Sequence, residues 1–177
     1  GSVNSNEGFA MRKALAEIGI PTPQLFTISN SSLEEEFVSA GNLYMALLSG
    51  KNTKLASQAG SITAKLHMAG YSFIDNKAQN YLVGHEDSII RTDLGFIQKT
   101  SSIFSRSMDI GSFLASTIDL QQYDKIERTF FEGYSEVAGK GFPYLSIILR
   151  NILAIGFSSN YSHMARNMAL KSVRVAA

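Results

Sequence analysis

The chain has no cysteine, and its charges nearly cancel: 16 basic residues stand against 15 acidic ones, for a formal net charge of +1. Without thiols there is no disulfide framework, no thiolate metal site and no cysteine nucleophile, so any metal must sit among oxygen or imidazole ligands. The absence also fits an intracellular, cytoplasmic protein. A balanced charge supplies no field for drawing DNA, RNA or anionic lipid to the surface, so no nucleic-acid partner is expected. The most apolar stretch, residues 144–157, is too short to span a bilayer, carries Arg150 and Asn151, and reads as a buried helix. The N-terminus lacks a basic segment followed by an apolar one, so no secretory signal is expected. Gly-x-Ser-x-Gly does not occur, which removes support for a hydrolase triad. His67, His85 and His163 stand at spacings unrelated to a zinc motif, with His67 read as packing at a helix end, and Met164 and Met168 read as core filling.

What is present is enough apolar residue for one core: 45% of 177 residues are hydrophobic, which suits a single compact unit. Helical spacing of Phe9, Ala10, Ala14, Leu15 and Ile18 ends at Gly19 and Pro21 and predicts a helix from Glu7 to Ile18. Residues 24–28 and 33–38 are β-prone runs around a polar turn and read as a hairpin. Asn42 is a plausible cap for a short helix ending at Gly50. Leu55, Ala59, Ile62 and Leu66 form one stripe of a helix from Thr53 to Ala69, stopped by Gly70. Between Tyr71 and Thr92 the helical period vanishes, and residues 81–83 and 88–91 read as short strands around a polar turn. Helices are then expected over 108–116, 119–137, 144–157 and about 159–173. The order implies a mostly helical α+β fold.

The chemistry concentrates between His67 and Gly95. Asp75 and Asn80 stand five apart with Lys77 between them, and Asp93, Leu94 and Gly95 follow thirteen residues after Asn80. A lone Asp-Leu-Gly is most often only a turn, since Asp and Gly favour turns. Together, in this order and between short strands, the residues make a coherent set for phosphoryl transfer. That reaction needs a carboxylate near the attacking hydroxyl and oxygen ligands for a divalent ion that offsets phosphate charge. Asp75 fits the first role. Asn80, with a neutral carbonyl oxygen, and Asp93, with an anionic one, make a hard-ligand pair suited to Mg²⁺, and Lys77 can add positive charge beside the transferred phosphate.

The spacing resembles the protein-kinase catalytic loop, His-Arg-Asp-x-x-x-x-Asn, with its metal-binding triplet. Asp109, near the start of an apolar helix, and the run Phe131, Glu132, Gly133, Tyr134 are similar to motifs of the small kinase of the KEOPS complex and of the RIO-type atypical kinases. The resemblance covers nearly the whole chain from Glu7 onward. It implies a protein-kinase-like fold, with residues 1–38 a partial N-lobe and hinge and residues 39–177 a C-lobe. It also implies ATP and Mg²⁺ as cofactors and an atypical serine/threonine kinase activity on an acceptor the sequence does not name. Further implications are that Asp109 braces the catalytic-loop backbone, that Glu7 orients a phosphate-binding lysine, and that Glu36 and Val38 hold adenine through hinge main-chain groups.

Three departures shape these expectations. Phe73 and Ile74 stand where kinases carry His and Arg, so regulation by a phosphorylated loop is not expected. The segment from Asp93 to Asp109 is short and lacks Ala-Pro-Glu, so no conventional peptide platform is expected. No glycine-rich phosphate loop and no strand lysine precede Glu7, so weak ATP turnover by these 177 residues is expected. Two alternatives remain beside an active kinase: a pseudokinase that acts as a binding module, and a small-molecule phosphotransferase.

Overall fold

Two helices, α3 (Leu55–Met68) and α5 (Tyr123–Ala138), form the centre of the molecule. The computed structural model describes residues 5–28, 33–36, 41–50, 52–139, 141 and 143–175. The stripe Leu55, Ala59, Ile62 and Leu66 on α3 is fully withdrawn from solvent, as helical spacing demands of an apolar face. Against it α5 buries Ile126, Phe130 and Tyr134. The two backbones run unusually close: a Cβ on Gly60 would strike the Phe130 carbonyl, and one on Gly133 would strike that of Ser57. Gly133 is thus a glycine because a neighbouring helix occupies the space a side chain would need. Helix α4 (Ile103–Ala115) joins this pair through Phe113, stacked on Phe130 at 4.4 Å between ring centroids.

Ahead of this bundle lie α1 (Ser5–Glu17), the hairpin of β1 (Leu25–Ile28) and β2 (Leu33–Glu35), and α2 (Leu43–Leu48). Asn42 caps α2, its Oδ1 accepting from the Met45 N–H at 3.0 Å. Two small antiparallel pairs follow α3. Strand β3 (Tyr71–Ser72) pairs with β6 (Gln98–Lys99), and β4 (Tyr81–Val83) pairs with β5 (Ile89–Arg91) with Tyr81 opposite Arg91. The result is a mostly helical mixed α/β structure with three short antiparallel strand pairs among the described residues. No helix among the described residues is long and apolar enough to cross a membrane.

Three elements differ from what periodicity suggests. Helix α4 starts at Ile103, not Met108, because Ser102 caps it by accepting from the Phe104 N–H. Ile103 and Phe104 are exposed, so the first turn carries no inward stripe that would mark it, and Asp109 sits inside the helix beyond reach of any dipole effect at its start. Helix α5 starts at Tyr123, not Asp119. The Asp119 carboxylate instead accepts from the Ser159 N–H and hydroxyl at 2.8 and 2.7 Å, anchoring the approach to α7 (Tyr161–Val175). Helix α6 (Leu145–Phe157) is not a buried helix but an inverted one: Ser146, Arg150 and Ala154 face inward while Tyr144, Ile148, Ile152 and Ile155 are exposed. Its inward face is built for close approach and charge pairing. Gly111 of α4 meets the backbone of Ser146 and Arg150, and the buried Arg150 guanidinium reaches Glu127 at 3.3 Å and the Tyr123 hydroxyl at 3.2 Å. Burial raises the Tyr123 pKa, so its hydroxyl stays protonated.

Candidate active site

The segment from Phe73 to Asn80 crosses between the strand pairs and is held by side chains from α3, from α4 and from Ser116 just after α4. Asp109, wholly buried on α4, accepts the Phe73 N–H on Oδ2 at 2.7 Å and the Ile74 N–H on Oδ1 at 2.6 Å. The loop brace expected of this residue is therefore present in geometry. His67, at the end of α3, links Nε2 to Asp109 Oδ2 at 3.0 Å and Nδ1 to the Tyr134 hydroxyl at 3.1 Å. Tyr134, beside Gly133, so completes a chain from α5 through α3 to α4, and burial raises its pKa.

The clamp matters because Ile74 is strained. It is a β-branched residue at φ +67°, a conformation that costs on the order of 1–3 kcal/mol and persists only where surroundings impose it. Two short hydrogen bonds to a buried carboxylate supply that imposition. Asn76 fixes the next turn: its Nδ2 donates to Thr63 Oγ1 and to the Asp109 carbonyl, while its Oδ1 accepts from the Tyr81 hydroxyl at 2.6 Å. Burial raises the Tyr81 pKa and keeps it a donor. The Ala78 N–H donates to Ser116 Oγ at 3.0 Å.

Against this tethered backbone, two charged side chains point outward. Asp75 and Lys77 are each 32% exposed in their side chains and pair at 2.8 Å through Asp75 Oδ1. The Lys77 ammonium also lies 4.7 Å from the Phe157 ring centroid at the end of α6. Asn80 closes the loop, its Nδ2 donating to the Asp75 carbonyl at 2.8 Å. That bond fixes which end of the amide is oxygen and turns Asn80 Oδ1 away as an acceptor.

Strand register places Asp93 one residue beyond the partner of Asn80. The β4–β5 ladder continues as the Thr92 N–H and hydroxyl both donate to the Asn80 carbonyl, at 2.9 and 3.1 Å. The residue after Thr92 is Asp93, exposed and at φ +53°, which Asp tolerates better than most residues. Asn80 and Asp93 each lie just beyond the paired strands: the register that sets Tyr81 opposite Arg91 sets Asn80 opposite Thr92, and Asp93 is the next residue. Among the described residues no three His, Asp or Glu side chains gather into a metal cage. One carboxylate beside one amide oxygen fits an ion such as Mg²⁺, which keeps waters and takes the remaining ligands from phosphate oxygens.

The remaining expected residues are dispersed. Glu7 lies in the first half of α1, which packs beside the Leu94–Phe96 turn after Asp93, but its side chain is outside the described residues. Glu36 closes the hairpin mouth: its N–H donates to the Gln24 carbonyl at 2.8 Å and its carboxylate accepts from the Gln24 N–H at 3.3 Å. Any adenine contact from Glu36 must then use its carbonyl. Val38 lies outside the described residues.

The sequence reading passed over Arg91. It is buried beneath the loop, donates to the Asp75 carbonyl at 3.0 Å, and lies against the Phe73 and Tyr81 rings. Burial lowers its pKa, opposed by the neighbouring Tyr81 phenol and the carboxylates of Asp109, Asp93 and Asp75. Strand alternation is the signal that could have found it, since Ile89 and Arg91 must share the inward face. No model of a known protein family matches the chain, and no curated protein matches it.

Proposed function

We propose that the protein is an ATP- and Mg²⁺-dependent phosphotransferase with a protein-kinase-like fold, of the atypical serine/threonine kinase type. In this reading residues 1–38 belong to a partial N-lobe and hinge, and residues 39–177 to the C-lobe. One observation carries it: a loop whose backbone is tied to buried Asp109 and Ser116 presents the Asp75–Lys77 pair outward while Asn80 bonds to Asp75 and to Thr92, the residue before Asp93.

Each residue then has a role set by its chemistry. The acceptor hydroxyl attacks the γ-phosphorus of ATP; its O–P bond forms as the bond to ADP breaks, and the hydroxyl proton passes to the Asp75 carboxylate. Lys77 holds that carboxylate in place and offers positive charge to the phosphoryl oxygens. Asn80 and Asp93 would hold Mg²⁺, which when bound offsets the charge of the nucleotide phosphates. The rigid backbone supports all of this, because transfer depends on positioning more than on covalent help from the protein.

The test is Asp75→Asn in the full-length protein, scored for transfer of labelled γ-phosphate and for ADP binding. Transfer should fall by about 10²–10⁴-fold, the usual contribution of a positioned acid–base group, with ADP affinity little changed. Equal transfer by both proteins excludes Asp75 from the reaction. Absence of transfer in both, with ADP still bound, would favour a pseudokinase that works as a binding module.

A further inference from the structure

Arg91 ends β5 two residues before Asp93, and only 1% of it is exposed. A buried guanidinium carries a desolvation cost that is offset only by close pairing. Among the described residues no carboxylate lies within ion-pair distance of this one. Its donors go instead to main-chain carbonyls: Nη2 to Asp75 at 3.0 Å and, by a longer contact, Nη1 to Asn80 at 3.5 Å. Nε has no hydrogen-bond partner among the described residues. The guanidinium carbon sits 4.2 Å from the Phe73 ring centroid and 5.0 Å from that of Tyr81.

A methionine or leucine would fill the space between those rings without any buried charge, and such replacements of buried ionic groups are often neutral or stabilising. Packing alone therefore gives no reason for arginine here. The two carbonyls it meets are the first and last of the Asp75–Asn80 loop. Reaching both from one side chain needs a rigid fork of donors, which arginine has and lysine lacks.

We propose that Arg91 is a positioning residue, an internal clamp that ties both ends of the Asp75–Asn80 loop to β5 and so sets the Asp75 carboxylate in fixed relation to Asn80 and Asp93. The clamp complements Asp109: the α4 carboxylate holds the loop entry at Phe73 and Ile74, and Arg91 holds the stretch that follows. Its functional meaning rests on the phosphotransferase reading of the site, whereas its effect on the loop does not.

The experiment compares wild type, Arg91→Met and Arg91→Lys in the full-length protein by amide hydrogen exchange without nucleotide and by steady-state transfer kinetics. Both variants should exchange faster by about tenfold at Ala78, Asn80 and Thr92, while the Phe73 and Ile74 amides, held by Asp109, stay at wild-type protection. The value of kcat should fall by about 10²-fold, the scale of a small misplacement of reacting groups, with KM for ATP little changed. If Arg91→Met does not fold, Arg91→Lys, which keeps the charge but not the fork, decides. Unchanged exchange over 75–80 with unchanged kcat overturns the clamp. Uniform loosening that extends through α3 and α5 overturns it too, since arginine would then be holding the whole fold. Selective loosening in a protein whose wild type shows no transfer would sustain the clamp and overturn the phosphotransferase reading.

Discussion

Asp109 receives three hydrogen-bond contacts on two oxygens, from the Phe73 and Ile74 N–H groups and from His67. Replacing it by alanine leaves two main-chain donors unpaired in the interior and releases the strained turn at Ile74. Asp109→Ala should therefore lose about 3–5 kcal/mol in urea denaturation, the range for breaking a buried charged network. A loss below about 1 kcal/mol would mean that the loop finds other acceptors and is not held as described. At this scale Asp75, Lys77, Asn80 and Asp93 stand out in the sequence as candidates because phosphoryl transfer demands particular side chains at particular spacings. Asn76 and Arg91 were not, since they act on main-chain carbonyls and neighbouring side chains that exist only once the strands have paired. Glu36 shows the opposite case: its carboxylate serves the hairpin, which no motif spacing reveals.

Helices α3 and α5 meet at Gly60 and Gly133, and the second of these belongs to the run Phe131 to Tyr134 that stood out in the sequence. A methyl group at Gly133 would force the helices apart, whereas Gly156 in α6 has open space where a Cβ would lie. Gly133→Ala should destabilise by about 1–3 kcal/mol or more through overpacking, and Gly156→Ala should stabilise by about 0.5–1 kcal/mol through helix propensity alone. Thermal or urea unfolding of the two variants reads the opposite signs; the same sign for both would contradict the close α3–α5 approach. The helices with a clean apolar stripe were legible to within a turn or so, as α3 illustrates. Those set by caps or charge pairs were not: the start of α4 depends on Ser102, and α6 turns Ile148, Ile152 and Ile155 outward while Arg150 meets Glu127 inside. The β3–β6 pair was missed because two-residue strands leave no period to read.

The whole molecule combines a tightly packed helical body with short strands and loops, and Asp75, Lys77, Asn80 and Asp93 all belong to the strand-and-loop stretch between α3 and α4. The division is physically sensible, since positioning catalysis needs a loop that is not free to move, and here the body supplies the anchors. The coarse fold, mostly helical with short strands in the middle of the chain, followed from the order of periodic and aperiodic segments. The mutual placement of Asn80 and Asp93 needed the register of β4 on β5, which residue spacing alone does not determine. Mg²⁺-dependent nucleotide binding tests the central claim most directly. Calorimetric titration of ADP into the full-length protein should give an affinity at least about tenfold tighter with Mg²⁺ than with EDTA, about 1.4 kcal/mol, and Asp93→Asn should erase that gain. Identical affinity with Mg²⁺ and with EDTA in the wild type would contradict the assignment of Asn80 and Asp93 as metal ligands and the phosphotransferase site built on them.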